Sequence, residues 1–296
     1  MDVSYEYYRI FYYVAKYRSF TKAANVLGNN QPNVTRIMNR LEDSLGCKLF
    51  LRSGRGITLT PEGEHLFHHV EVALEQIQAG ESELTGSANL QYGSVFIGAS
   101  ETALNLILLE KLQKFHETYP EIRLHITNHS TPQALAALKN GAVDCAVVTT
   151  PAITEKPLQQ TVLATFREVL VGGPGFRELA QMRHHLKNLD SFPLIMLSQG
   201  TTTWELYNQF FLKHGLSMEP DIEAATADQI LPLVKYNLGL GFLPEAVAEA
   251  AIAQGEVFPI PLCEELPERN VILIQDKQRS LSVAARAFVR MLTKID

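Results

Sequence analysis

Two short helical patterns on either side of a four-residue turn constrain this chain more than any other feature of it. The first runs Lys22-Ala23-Ala24-Asn25-Val26-Leu27, with Thr21 placed to cap its start and Gly28 suited to end it in a left-handed conformation. Its alanines leave room for another helix to pack closely. Asn29-Asn30-Gln31-Pro32 is the turn, and Pro32 falls in the first turn of the next helix, where a missing N–H costs little. There Val34, Ile37, Met38 and Leu41 recur at i, i+3, i+4 and i+7 and form a buried face. Asn33, Arg36, Asn39 and Arg40 are left pointing outward. Upstream, Tyr7, Ile10, Phe11 and Val14 mark residues 4–17 as an amphipathic helix. The whole reads as a helix-turn-helix.

After Gly46, Lys48–Arg52 and Gly56–Thr60 read as two short strands around Ser53-Gly54-Arg55, a wing with a basic tip. Arginine and asparagine form bidentate bonds to guanine and adenine edges, and a helix N-terminus favours phosphate, so the chemistry suits DNA. The charge distribution agrees. Residues 1–60 carry 9 Lys+Arg against 4 Asp+Glu, and residues 61–86 carry 6 acidic residues and no basic ones, within a chain of net charge −6. On pattern alone, a protein-interaction module with a solvated basic face fits the same residues.

A length of 296 residues implies about two domains, and 46% hydrophobic with 20% charged residues excludes disordered and collagen-like classes. No apolar run approaches the roughly 18 residues of a membrane span. The start has no basic and apolar leader, and Cys47, Cys145 and Cys263 are far apart and odd in number, which predicts free thiols in a reducing cytoplasm. Past Pro61, the residues Leu66, Val70, Ala73, Ile77 and Leu84 advance by fours and threes, with Gly80 filling one step, a seam for pairing with another helix. His65 and His69 stand at i, i+4 without a third ligand, and a solvated helix face is the expected reading. Residues 87–93 lack periodicity and read as a hinge.

From residue 94 strands and helices alternate: strands at 94–98, 122–128 and 143–148, with helices at 102–118, buried through Leu106, Leu109, Leu112 and Phe115, and at 132–140. A second unit follows from Glu168, with strands near 168–171, 194–197, 221–225 and 240–243 and helices near 203–214 and 228–236. A strand at 270–275 returns to the first lobe, and a helix at 282–293 closes the domain. This predicts an α/β body with mostly parallel sheets in two lobes and a cleft at the strands' carboxyl ends. Those ends carry Ser100, Thr102, Asn128-His129-Ser130-Thr131, Thr149 and Thr150, and Ser198-Gln199-Gly200-Thr201-Thr202-Thr203 precedes a helix at Trp204. Singly each Ser or Thr is a helix cap; as a set at helix N-termini they predict a site for a small polar or anionic molecule.

Three segments carry a more specific resemblance. Ser19-Phe20-Thr21-Lys22-Ala23-Ala24, Gln31-Pro32-Asn33-Val34-Thr35-Arg36 and Leu41-Glu42-Asp43-Ser44-Leu45-Gly46, continued by Lys48-Leu49-Phe50, Arg52 and Leu59-Thr60-Pro61-Glu62-Gly63, resemble the N-terminal domain of the LysR-type transcriptional regulators. Asn33 departs from the small residue usual there, and Thr35 from serine. Asn140–Val148 and Gly239-Leu240-Gly241-Phe242-Leu243-Pro244 look like the effector domain of the same regulators, which is similar to periplasmic solute-binding proteins. The resemblance implies a winged helix-turn-helix at 1–60, a dimerising linker helix at 61–86, a hinge at 87–93 and a two-lobed effector domain at 94–296. It implies DNA contacts from Thr21, Gln31, Pro32, Asn33, Thr35, Arg36, Asn39, Arg40, Arg52 and Arg55, and effector contacts at the positions of Ser100, Thr102, Thr149 and Thr202. It also implies a homodimer that pairs into a tetramer, with RNA polymerase as a further contact.

The expectation is therefore a cytoplasmic, effector-modulated transcriptional regulator without cofactor, metal or enzymatic activity. No GxSxG, HExxH or phosphate-binding loop is present. A small-molecule sensor that does not bind DNA is the alternative, and a thiol sensor would need two cysteines close enough to bridge.

Overall fold

The computed structural model describes residues 3–53, 56–84 and 93–293. Arg55 and residues 87–92 of the expected hinge lie outside the described residues, as do the side chains of Arg52 and Leu84. The chain divides into two compact units, residues 1–88 and 89–296.

In the first unit, helices α1 (Tyr5–Tyr17), α2 (Phe20–Val26) and α3 (Gln31–Leu45) enclose one core of Ile10, Phe11, Val14, Ala23, Ala24, Val34, Met38 and Leu41. Thr21 is not the cap of α2. The helix starts earlier, because Ser19 Oγ accepts from Lys22 N at 3.2 Å and lets Phe20 enter the first turn, where it is buried against Phe50. The wing is the antiparallel pair β1 (Phe50–Ser53) and β2 (Gly56–Leu59).

Helix α4 (Pro61–Leu84) follows at once. Its expected pairing seam is divided. Val70, with Leu74 one turn on, is buried in the head's own core, Leu66 packs against that core, and Phe67 stacks on Tyr12 at 5.6 Å. Ala73 and Ile77 stay exposed. The apolar row of α4 is wide enough to serve two faces, and its first turns are used to hold the wing against α1.

Glu42 locks α3 to the wing. Its buried carboxylate accepts from Leu49 N at 2.9 Å, Phe50 N at 3.2 Å and Lys48 Nζ at 2.7 Å. Burial alone would raise its pKa; the Lys48 ammonium and the two amides outweigh this and hold it below the ordinary value. A depressed carboxylate stabilises the fold above its unfolded pKa and stops doing so as the pH falls through its folded one. The unfolding midpoint of the head is therefore expected to drop as the pH falls below ~4, and Glu42→Gln should flatten that slope in denaturant melts at stepped pH.

The second unit contains two five-stranded sheets, ordered β4-β3-β5-β12-β6 and β11-β7-β10-β8-β9. The first comprises β3 (Gly93–Ala99), β4 (Ile122–Asn128), β5 (Cys145–Thr149), β6 (Leu158–Phe166) and β12 (Arg269–Asp276). The second comprises β7 (Glu168–Gly172), β8 (Leu194–Leu197), β9 (Ile222–Ala224), β10 (Leu240–Pro244) and β11 (Phe258–Pro259). Both sheets are mixed, which corrects the mostly parallel expectation. The chain crosses between lobes at Arg167 and returns as β12, which runs antiparallel to β5 and β6; β7 likewise opposes β10.

The helix after β3 is interrupted: α5 (Glu101–Ala103) passes through a π-turn at Leu104–Leu108 into α6 (Leu109–Thr118). The wider turn rotates the face. Leu108, Leu112 and Phe115 are buried, whereas Leu109 is 54% exposed and Leu106 only partly buried, against expectation. Helices α7 (Thr131–Asn140), α8 (Thr202–Lys213), α9 (Ile230–Lys235), α10 (Glu245–Ala253) and α11 (Val283–Thr293) cover the sheets.

Candidate functional site

The ends of β3, β4 and β5 in one lobe face the loop after β8 in the other across a cavity of about 490 Å³. Ser100, Thr102, Asn128, His129 and Thr149 line it from the first lobe, and Gln199, Thr201 and Thr202 from the second. Of the cleft residues expected from the sequence, Ser198 stands outside this lining, its Oγ donating to Ala224 O at 3.2 Å, and so does Thr150. Its hydroxyl turns aside to accept from Asn270 N at 2.8 Å.

Helix caps build much of this wall. Ser100 Oγ accepts from Ala103 N at 3.3 Å, and Ser130 forms a capping box with Gln133 at the start of α7. Helix α8 begins at Thr202, ahead of Trp204, because Thr201 is its N-cap and accepts from Trp204 N at 3.1 Å. Thr201 also donates to Ser198 O at 3.1 Å, so its hydroxyl is used within the turn. First-turn N–H groups of a helix have no partner inside it, and in α7 and α8 these turns border the cavity. Among the lining residues Glu101 is the acid, held by Asn128 Nδ2 at 3.1 Å and Asn105 Nδ2 at 2.9 Å. Burial lowers the pKa of His129 and favours its neutral imidazole.

Behind the wall lies a network whose charged members, Arg269 and Glu168, are not among the expected site residues. Arg269, only 1% exposed, donates from Nη1 to Glu168 Oε1 at 2.7 Å and from Nε to Thr150 O at 2.9 Å. Its Nη2 reaches Thr149 Oγ1 at 2.8 Å and Thr203 Oγ1 at 2.9 Å. Tyr207 donates to the other oxygen of Glu168. Arg269 and Thr149 belong to one lobe, Glu168, Thr203 and Tyr207 to the other. Thr203, in the run expected before α8, lines the cavity, and so does Thr226, which the sequence reading does not single out. Thr226 caps a turn at Ala227–Gln229 that leads straight into α9, ahead of the helix start near 228 that the sequence predicts.

On the head, α3 presents Gln31, Pro32, Arg36, Asn39 and Arg40 to solvent, with Asn33 and Thr35 half-buried beside them; Thr21 is exposed on α2. Asn33 does not hold its amide free. Its Nδ2 donates to Asn29 Oδ1 at 3.0 Å and its Oδ1 accepts from Arg36 Nη2 at 2.8 Å, so it orients the arginine. Asn30 caps the helix by accepting from Asn33 N at 2.9 Å. Arg52 keeps its place in β1.

The cysteines are all free, and Cys145 is fully buried inside the first sheet. Burial pushes its thiol far up, the reverse of what a reactive thiolate needs. His65 and His69 meet edge to face at 4.9 Å, and among the described residues no group of three or more His, Cys, Asp or Glu is placed to hold a metal. Among the same residues no helix is long and apolar enough to cross a membrane.

A helix-turn-helix head joined to a two-lobed α/β domain with a polar cleft defines a DNA-binding regulator with a ligand-binding module. Residues 5–64 match the family model for bacterial regulatory helix-turn-helix proteins of the lysR family, and residues 88–295 match the LysR substrate binding domain. The chain belongs to the LysR family of transcriptional regulators.

Among its relatives, a probable hydrogen peroxide-inducible genes activator of Mycobacterium avium is 27% identical over 269 residues, covering 90% of this chain and 86% of that protein. The regulator GltR of Bacillus subtilis (strain 168) is 25% identical, covering 95% of this chain and 93% of its own. Full-length CbnR complexed with its target DNA shares the fold with a TM-score of 0.67 at 19% identity, covering 98% of both chains. A Corynebacterium glutamicum OxyR C206 mutant gives 0.61 at 22%, covering 99% of this chain and 92% of that one.

Proposed function

We propose that this regulator is controlled by a small polar or anionic metabolite held between its lobes, and that it acts in the cytoplasm by binding, without turnover. The observation that carries the reading is the cavity itself. Hydroxyls and amides from strand ends as distant in sequence as Ser100 and Thr202 converge on a volume typical of ligand sites. A ligand bridging the lobes shifts the protein only as far as its affinities for the two lobe arrangements differ. Closure is transmitted to the spacing of paired recognition helices, and hence to DNA bending and contact with RNA polymerase.

The DNA-reading face comprises Gln31, Pro32, Asn33, Thr35, Arg36, Asn39 and Arg40 on α3, Thr21 on α2, and Arg52 and Arg55 of the wing. Among the described side chains of α4, Ala73 and Ile77 are exposed apolar residues and form part of the contact through which two chains pair, with tetramers formed through the effector domains. One recognition helix reads few bases, and two half-sites multiply specificity.

The test is a competed gel shift of the full chain on DNA upstream of its own gene, repeated with a metabolite panel. Arg36→Ala should weaken specific binding about tenfold to a hundredfold and relax base preference. Thr202→Ala should leave DNA affinity unchanged and blunt the metabolite response. An unchanged footprint with Arg36→Ala removes α3 as the reader, and an unaltered metabolite response with Thr202→Ala removes the cleft as the site.

A further inference from the structure

We propose that the cleft is a two-ended site for a small carboxylic acid that also carries a hydrogen-bond donor, and that Arg269, which does not line it, sets the carboxylate end. This rests on the reading of the cleft as the effector site and adds the ligand's class and a specificity-determining residue.

The carboxylate end follows from where hydroxyl protons must go. Thr149 and Thr203 both line the cavity, and the Oγ1 of each accepts from Arg269 Nη2. A guanidinium has five donors and no acceptor, so neither hydroxyl returns its own proton to it. Among the hydrogen bonds of the described residues, neither donates to a protein acceptor. Both protons are left for the cleft. Ser100 is in the same position, accepting from Ala103 N with its own proton unassigned. A buried cation thus leaves two hydroxyls beside one guanidinium nitrogen as donors, an arrangement that favours an anionic acceptor. Glu168 balances the guanidinium charge at 2.7 Å, so discrimination comes from the oriented hydroxyls.

The other end has the opposite character. The Glu101 carboxylate takes one bond on each oxygen, from Asn105 and from Asn128, and each oxygen keeps a lone pair for a ligand donor. It repels a second carboxylate there. Glu101 follows β3 and is held from the end of β4 by Asn128, whereas Thr149 ends β5, so the two ends stand one to two strand spacings apart, roughly 5–10 Å. Side chains reaching inward from both leave a gap that a short amino or hydroxy acid spans.

The test is a titration of the full chain, read by the fluorescence of Trp204, the single tryptophan, which follows Thr203 directly at the start of α8. The probes are short α-amino and α-hydroxy acids, their primary amides, and dicarboxylates of matched length. At least one acid is expected to bind about tenfold or more tighter than its amide. Thr203→Val should erase that preference and Thr203→Ser keep it. Because Arg269 changed alone strands a buried carboxylate, its role is read in the Glu168→Gln/Arg269→Met pair. That pair should unfold cooperatively, as the parent does, and lose the preference for acid over amide. Glu101→Gln should improve dicarboxylates relative to amino acids.

A folded pair with the parent's preference overturns the role of Arg269, and amides binding as tightly as acids overturn the ligand class. Silence from every acid, alongside a response to neutral or cationic metabolites, overturns the class and leaves the effector site standing. Silence from the whole panel overturns both.

Discussion

Arg269→Met alone is expected to lower the thermal midpoint of the larger unit by roughly 6–20 °C, from a loss of about 3–5 kcal/mol at about 2–4 °C per kcal/mol for a domain of this size. The loss has a specific source. Arg269 is 1% exposed and supplies four hydrogen bonds, at 2.9 Å to Thr150 O, 2.7 Å to Glu168, 2.8 Å to Thr149 and 2.9 Å to Thr203. Without it the Glu168 carboxylate stays buried with the Tyr207 hydroxyl as its remaining donor. Tyr207 cannot offset the charge, since burial and the adjacent carboxylate push its pKa well up and keep it neutral. An uncompensated charge in this interior costs far more than the lost contacts.

The paired change Glu168→Gln/Arg269→Met removes both charges and leaves Tyr207 an amide acceptor, so it should fall within about 2 kcal/mol of the parent. Scanning calorimetry of the full chain distinguishes the two. Equal destabilisation by the single and paired changes would place the cost in packing and refute the account by charge. Because the network joins β5 and β12 of one lobe to β7 and α8 of the other, its strength also bears on how freely the lobes move.

The same network marks the limit of what the sequence discloses. The head was legible because each of its signals is local. Helical spacing placed Val34, Ile37, Met38 and Leu41 on one face, and all four are buried. The cleft was legible because hydroxyls after strands sit where such folds open. Arg269, Glu168 and Tyr207 carry no local signal. Their partnership spans 101 residues in one case and 39 in the other, and nothing in the periods of β7, α8 or β12 distinguishes them from surface charges.

Smaller misses have the same origin. Ser19 outranks Thr21 as a cap because Phe20 has to reach the core, a tertiary demand. Leu109 turns outward because the π-turn before it shifts the helical register. Helix α10 went unseen because its buried positions, Ala248 and Ala251, lie among other alanines with no contrasting stripe.

Gly63→Ala is expected to destabilise the head by about 1–3 kcal/mol, although the same change in an exposed helix would stabilise it by up to about 1 kcal/mol. Gly63 sits in the first turn of α4, over the wing. A Cβ there would overlap the carbonyl oxygen of Leu49 and stand 3.0 Å from Leu59 Cδ2. Neither side can retreat cheaply. The Leu49 carbonyl accepts from Thr60 N at 3.0 Å, and its amide and that of Phe50 are held by Glu42 Oε1 at 2.9 and 3.2 Å. Thr60 Oγ1 donates to Lys48 O at 2.7 Å and accepts from Gly63 N at 3.0 Å. The start of α4 is therefore stitched to the base of the wing, and an added methyl group has to lever the helix away.

The consequence for function is larger than that for stability. Helix α4 leaves the head at an angle set by this contact, and under the proposed pairing of two chains through α4 that angle would set how far apart their recognition helices stand. On a two-half-site operator, Gly63→Ala should cost well over tenfold in affinity, while binding to an isolated half-site changes little. Gel shifts on the two DNAs, alongside melts of the protein, read both effects. A raised midpoint with full-site affinity intact would mean that helix propensity decides at this position and that α4 does not rest on Leu49.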